Sequence, residues 1–330
     1  MRAKPWIAAA GALAAVLLIP PLVSVGSDDD AGAGAQVRGL RVLVPNTPGG
    51  GYDITARQAA KAMEDADLTR NVEVFNLPGA GGTVGLGRLV NEAGNDKLVM
   101  SMGLGVVGSV HTNHSPSSLQ DTTPIAKLLE EPDIVVVAKD SPYRDIDQLI
   151  DAWKADPGHV TVGGGSSPGG PDHLAPMLFA KAIGLAPRTV NYVSYDGGGE
   201  LLASVLGGKI AFGVSGIGEY RDQIESGDLR VLAVTSAERI EGVDAPTLRE
   251  SGADVEFTNW RGIVAPPGIS QNDQDRLVNL FTELQSTKEW QDALARNGWT
   301  AAFLPGQEFG DFLADENDRV ASVLSELGLP

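Results

Sequence analysis

Two stretches of this chain, one βα unit apart, carry nearly the same loop. Asn46-Thr47-Pro48-Gly49-Gly50-Gly51 follows the β-rich run Leu40–Val44, and Asn76-Leu77-Pro78-Gly79-Ala80-Gly81 follows Asn71–Phe75. Helical spacing resumes after the first loop, where Ala56, Ala59, Ala60 and Met63 fall at i, i+3, i+4 and i+7. A strand that hands its carboxyl end through a glycine loop to a helix, and then does so again, is the unit of an α/β fold. Few other architectures accept that order of elements.

The alternation continues to the end of the chain. Further strand candidates are Lys97–Met102, Ile134–Ala138, Val160–Gly163, Thr189–Tyr195, Ile210–Val214 and Leu229–Thr235. Leu277, Leu280, Phe281 and Leu284 repeat the helical spacing, and a last helix carries Phe309, Phe312, Leu313, Val320, Val323, Leu324 and Leu327 on one stripe. Largely parallel sheets covered on both faces are expected. With 330 residues there is chain enough for two domains. No low-complexity linker divides them after residue 39, so short crossings are expected at Ala138–Pro142 and Trp260–Pro267. One lobe would then comprise residues 36–138 and 263–330, with residues 139–262 inserted as the second.

The glycine loops carry the chemistry. Each lies where a strand meets a helix N-terminus, whose unpaired N–H groups and dipole favour an anion. Glycine permits close approach and positive φ. The second half repeats the device in Gly163-Gly164-Gly165-Ser166-Ser167-Pro168 and Tyr195-Asp196-Gly197-Gly198-Gly199, and Ser215-Gly216 ends a further strand. A tight βα turn would explain any one loop. Recurrence at equivalent positions points to one mostly neutral crevice at the carboxyl ends of the strands, suited to a ligand with several oxygens. Asp53 is placed to cap the first helix, and Arg57, one turn on, is expected at the surface or paired with it.

Arg2 and Lys4 precede an apolar stretch, Ile7–Val25, broken by Pro20 and Pro21. A basic segment followed by an apolar one marks export. Residues 1–35 are therefore read as a signal peptide or an N-terminal anchor with its linker, and the remainder as extracytoplasmic, in the periplasm or at the outer face of the cytoplasmic membrane. The sequence has no cysteine, which excludes disulfides, thiolate metal sites and a lipid-modified terminal cysteine. A net charge of −18 would repel nucleic acid.

Catalytic motifs fail on inspection. Gly165-Ser166-Ser167-Pro168-Gly169 fits G-x-S-x-G, but proline follows the serine and has no N–H for an oxyanion hole. A dinucleotide fingerprint would need glycine where Val84 stands, and no Gly-Lys-Ser/Thr occurs. His111 and His114 lack the companions of a zinc motif. With His159 they read as surface or loop residues, whereas His173 falls at a helix start. No enzyme, cofactor or metal is expected.

Val44-Pro45, Pro48-Gly49-Gly50, Asp53, Ala56-Arg57, Asn76-Leu77-Pro78-Gly79-Ala80-Gly81-Gly82, Tyr195-Asp196-Gly197-Gly198-Gly199, Leu206-Gly207-Gly208, Ala245-Pro246-Thr247, Trp260-Arg261-Gly262 and Ala265-Pro266-Pro267-Gly268 occur in this order. From about residue 38 onward the chain resembles the extracytoplasmic substrate-binding proteins of tripartite tricarboxylate transporters, the Bug-type receptors. The resemblance implies a two-lobed periplasmic-binding-protein fold with two crossing strands. It implies a monomeric receptor that holds a small carboxylate by backbone amides and water and delivers it to large and small permease subunits. On this likeness Thr47, Pro48, Gly49, Gly50, Gly51, Tyr52 and Asp53 grip one carboxylate together with Leu77, Pro78, Gly79, Ala80, Gly81, Gly82 and Thr83. Ser166, Ser167, Tyr195, Gly197 and Ser215 read the distal part. Relatives often carry lysine where Asp196 stands, which weighs against a distal carboxylate. The same cleft would also serve a ligand-sensing subunit of a receptor kinase.

Overall fold

The computed structural model describes residues 37–195 and 197–329. The targeting segment expected at residues 1–35, and Asp196, lie outside them. The first half runs β1 (Arg41–Val44), α1 (Gly51–Asp65), β2 (Glu73–Asn76), α2 (Thr83–Val90), β3 (Leu98–Gly103), α3 (Leu104–Thr112), β4 (Thr123–Ala138) and α4 (Ile146–Ala155). Then come β5 (Val162–Gly164), α5 (Pro171–Ala182), β6 (Tyr192–Ser194), α6 (Gly198–Leu206), β7 (Phe212–Gly216), α7 (Arg221–Glu225) and β8 (Leu229–Val234). The chain closes with β9 (Thr258–Ala265), α8 (Gln271–Gln285), α9 (Lys288–Asn297), β10 (Thr300–Pro305) and α10 (Gly306–Glu326).

Strand order is β2-β1-β3-β9-β4-β7-β5-β6, with β8 and β10 also paired to β4. Two parallel groups result, β2-β1-β3 and β7-β5-β6. Between them lie β4 and β9, which pair antiparallel with each other and with their neighbours. The expectation of largely parallel sheets is thus corrected: each of the two central strands runs antiparallel to the strand on either side of it. The 16-residue β4 belongs to both groups, its first part pairing with β9 and β10 and its last with β7 and β8.

Three segments of strand were not among the strand candidates, although the run at Trp260–Pro267, which overlaps β9, was expected as a crossing. In the first part of β4, Pro124, Lys127, Glu130, Glu131 and Pro132 break any apolar alternation. Tertiary contacts supply what the pattern lacks. Lys127 Nζ is held by Glu130 at 2.5 Å and lies 4.1 Å over the Phe312 ring, and Glu131 is buried by an arginine. β9 contains Arg261 and Gly262, and β10 is rich in alanine. The helical stripes behave as their spacing requires. Leu277, Leu280, Phe281 and Leu284 are all buried under α8, each stabilising by about 1.5–3 kcal/mol. On α10, Phe309, Leu313, Val320 and Leu324 are buried, with Phe312 and Val323 packed beside them.

Candidate functional site

The carboxyl ends of β1, β2, β5, β6 and β7 and the starts of α1, α3 and α5 surround one cavity. It holds about 640 Å³ with its open mouth included. Pro45, Asn46, Gly50, Gly51 and Tyr52 line it from the first glycine loop, and Pro78, Gly79 and Gly81 from the second. Gly105, Gly165, Ser166, Ser167, Pro171, Asp172, Tyr195, Glu219, Asn259 and Arg261 complete the wall. Helices α1, α2, α3, α5 and α6 start at glycine N-caps (Gly50, Gly82, Gly103, Gly170 and Gly197) without a side-chain cap. Their first N–H groups are therefore left to the backbone, the opposite wall or a ligand.

Local packing explains why these loops are glycine. Gly81 has φ +62, and a β-carbon there would run into Ser109 Oγ and Ser167. At Gly51 the backbone is ordinary, but a β-carbon would meet the guanidinium of Arg261. The first loop is fixed from behind by Asp53. Its Oδ2 accepts the Gly49 N–H at 2.9 Å, and its carboxylate pairs with Arg57 and takes a bond from Asn76 Nδ2. Burial alone would raise the pKa of Asp53. The bonds from Arg57, Gly49 and Asn76 outweigh it and hold the carboxyl below its ordinary value. Asp53 thus braces the loop from inside the first turn and does not occupy the N-cap, which is Gly50. Arg57 pairs with it, half exposed.

The floor of the cavity is charged, and this corrects the expectation of a mostly neutral crevice. Arg261 is 2% exposed, paired through Nη2 with the fully buried Glu131 and through Nη1 with Thr55 Oγ1 at 3.3 Å. Glu219 Oε1 stands 3.9 Å from the same Nη2. Asp172 Oδ2 accepts from the Gly165 N–H at 2.7 Å and from Ser215 Oγ at 3.0 Å. Behind them Asp133 is fully buried with neither carboxyl oxygen hydrogen-bonded. One guanidinium faces four carboxyls. Burial, reinforced by the neighbouring acids, pushes Asp172 up to about 6, Glu219 up to about 8 and Asp133 well above the carboxylate range.

Of the residues singled out from sequence, Gly50, Gly51, Tyr52, Pro78, Gly79, Gly81, Ser166, Ser167 and Tyr195 come together on the wall. Thr47, Pro48, Gly49, Asp53, Leu77, Ala80, Gly82, Thr83, Gly197 and Ser215 stand outside the lining. Leu77 N–H bonds Val44 O, Thr83 Oγ1 bonds Ala80 O, and Ser215 is buried in β7 holding Asp172. His173 packs at the start of α5. Its Nδ1 accepts the Gly169 N–H at 3.0 Å, its ring stands edge-on to Tyr192, and burial pushes it down to about 4, so it is neutral. Sequence reasoning gave no site role to Asp172, Glu219, Asn259 or Arg261. Trp260-Arg261-Gly262 was visible as a motif, but nothing in a linear pattern says that Arg261 reaches Glu131 from an adjacent strand.

A family model described as tripartite tricarboxylate transporter family receptor matches residues 55–329. The protein BugT of Bordetella pertussis is 29% identical over 297 residues, covering 88% of this chain and 90% of its own. Among solved structures, the periplasmic binding protein BugD superposes with a TM-score of 0.80 at 22% identity, over 88% of this chain and 98% of its own. MatC of Rhodopseudomonas palustris, with bound malate, gives 0.77 at 21%, over 87% and 99%. At such identities the superpositions show the fold alone, and that fold is the two-lobed periplasmic-binding-protein architecture expected from sequence.

Proposed function

Because the chain belongs to the tripartite tricarboxylate transporter receptor family, we propose that it captures a small carboxylate outside the cytoplasm and delivers it to the large and small permease subunits of such a transporter. It is a binding protein and not an enzyme. The observation that carries this reading is the convergence of glycine-capped helices on one cavity: α1, α3 and α5 begin on its wall, and the loops that lead into α2 and α6 line it at Gly79, Gly81 and Tyr195. Amides at helix starts bind a carboxylate through aligned dipoles and direct N–H contacts. Gly79 and Gly81 of the second loop, with Gly50 of the first, hold the carboxylate. Ser166, Ser167 and Tyr195 contact the remainder of the solute. Malate in the MatC neighbour is a ligand of this class.

Residues 36–138 with 263–330 form one lobe in this proposal and residues 139–262 the other, joined through β4 and β9. Closing them brings the loop at Ser166 against the loop at Gly79 and shifts an open–closed equilibrium. Residues 1–35 direct export. No helix among the described residues is long and apolar enough to cross a membrane.

The test is thermal unfolding with a panel of mono-, di- and tricarboxylates. A ligand at a hundred times its Kd stabilises by about 2.7 kcal/mol, a clear rise in Tm. A panel that leaves Tm unchanged at millimolar concentration overturns the assignment.

A further inference from the structure

One face of α3 touches the other proposed lobe beside the cavity. Gly105, Gly108 and Thr112 are spaced by three and four residues and so share that face. The rest of the helix is anchored elsewhere: Leu104, Val106 and Val107 are buried in the core, and His111 Nε2 lies 3.0 Å from Asn317 Oδ1 of α10. Against the glycine face lies the loop at residues 168–171, which belongs to the segment 139–262. Thr112 Oγ1 donates to the Pro168 carbonyl at 3.0 Å. A β-carbon at Gly108 would overlap the Gly169 carbonyl, and one at Gly105 would lie 3.5 Å from Pro171 Cδ. In return, a β-carbon at Gly169 would lie 2.9 Å from the Gly108 carbonyl oxygen. Backbone rests on backbone here.

Nothing local asks for glycine at these two helix positions. Neither Gly105 nor Gly108 has a positive φ, and glycine inside a helix is less favourable than alanine. What their missing side chains admit is the opposite loop. That loop is held rigidly for the contact. The Gly169 N–H donates to His173 Nδ1 at 3.0 Å, the Gly170 N–H to Ser167 O at 2.8 Å and Tyr192 Oη to Ser166 O at 2.8 Å. Next to Thr112, Asn113 Nδ2 donates to Ala80 O at 2.9 Å. Adjacent side chains at the end of α3 thus hold one loop from each proposed lobe.

We propose that this face of α3 is the seat on which the second lobe closes, with Gly108 admitting the backbone of Gly169 and Thr112 fastening Pro168. The proposal rests on the two-lobe reading and adds a source of closing energy that no solute provides. A contact made whatever the solute favours the closed form by a constant amount, and the solute supplies the remainder.

The experiment uses the full chain without solute. The sequence has no cysteine, so Thr112→Cys with Pro168→Cys places a single pair of thiols at the seat. A short bismaleimide should join them within one chain, read by mass and by gel mobility. Adding Gly108→Leu, whose side chain would stand where Gly169 rests, should slow the joining about tenfold or more. Gly108→Ala is the smaller step and the better helix former. It should slow the joining less and leave the urea midpoint of the paired-cysteine parent unchanged, and it carries the test if the leucine variant fails to fold. The proposal is overturned if the thiols do not join, or if neither substitution slows them. It is also overturned if Gly108→Ala lowers the urea midpoint together with the rate, since Gly108 would then belong to the core of the first lobe. Because no solute takes part, those outcomes leave carboxylate capture standing, and a carboxylate panel without effect leaves the seat standing.

Discussion

Helices on the two sides of this molecule begin in different ways. Away from the cavity, α4, α8 and α9 are closed by side chains: Asp145 accepts from the Gln148 N–H, Ser270 from Asp273 and Thr287 from Trp290. Around the cavity, α1, α2, α3, α5 and α6 begin at glycine with no such cap. A serine, threonine or aspartate cap contributes about 1 kcal/mol, so five open starts forgo stability that the far side retains. An open start alone is not a site, since α10 begins after Pro305 uncapped as well. What separates the five is that their loops converge on one cavity with buried charges as its floor. At the cavity the helix starts turn to neighbouring loops instead of to their own N-cap side chains: the Asp172 N–H donates to Ser166 Oγ at 3.1 Å and the Gly51 N–H to Glu219.

The largest effect that sharpens this contrast lies in the floor. Glu131→Ala leaves Arg261 buried without its partner and should cost about 3–5 kcal/mol in urea unfolding. A loss comparable to that of a surface substitution would mean that the floor is not what holds the open side together.

The same floor fixes a pH dependence. Asp172 and Glu219 have folded pKa values of about 6 and about 8, above the ordinary 3.8 and 4.5. The folded state therefore binds these protons more tightly than the unfolded state does. Their contribution to stability is complete below about pH 4 and is lost as pH rises to about 8. The ligand-free protein should show a falling Tm across that window, and Glu219→Gln should flatten its upper part. Asp53, whose pKa is depressed, acts in the opposite sense, but only as pH drops through and below the ordinary carboxylate range. A Tm that climbs between about pH 5 and pH 8 contradicts the assignment of raised values.

Binding should separate the two classes of helix start. Gly81→Val forces a branched residue into positive φ and against Ser109 and Ser167. Affinity for whichever carboxylate stabilises the wild type should drop by about a hundredfold, equivalent to about 2.7 kcal/mol. Retained affinity would place the ligand elsewhere. The smallest effect belongs to the far side, where Ser270→Ala or Asp145→Ala should cost about 1 kcal/mol of stability. Calorimetry on these two variants should return the wild-type affinity, and any clear loss would break the division between the sides.

Much of the fold was readable because it rests on local pattern. The glycine loops follow strands and open helices as their residues require, and Leu277, Leu280, Phe281 and Leu284 turn one face to the core. The first part of β4 was not readable. Its prolines and charges argue against a strand, and it forms one because β9 and β10 pair with it on either side. Within the site, the backbone-bearing residues at Gly50, Gly79, Gly81 and Ser166 could be named in advance, since glycine at the end of a strand is itself a signal. Asp172 and Glu219 could not, because an acid in the first turn of a helix reads as a favourable dipole contact wherever it lies.

By itself the sequence determined the alternation of strands and helices, the glycine positions that forbid a side chain, and the absence of any constellation for catalysis. These follow from steric and periodic constraints that act within a few residues. The tertiary structure alone decided that β4 and β9 run against their neighbours and that Arg261 meets Glu131 across two strands. It also decided that four carboxyls from β4, α5 and the segment after β7 share one buried floor. Those are contacts between residues far apart in the chain. Their energies depend on burial and on distances between charges, and neither quantity exists until the chain has folded.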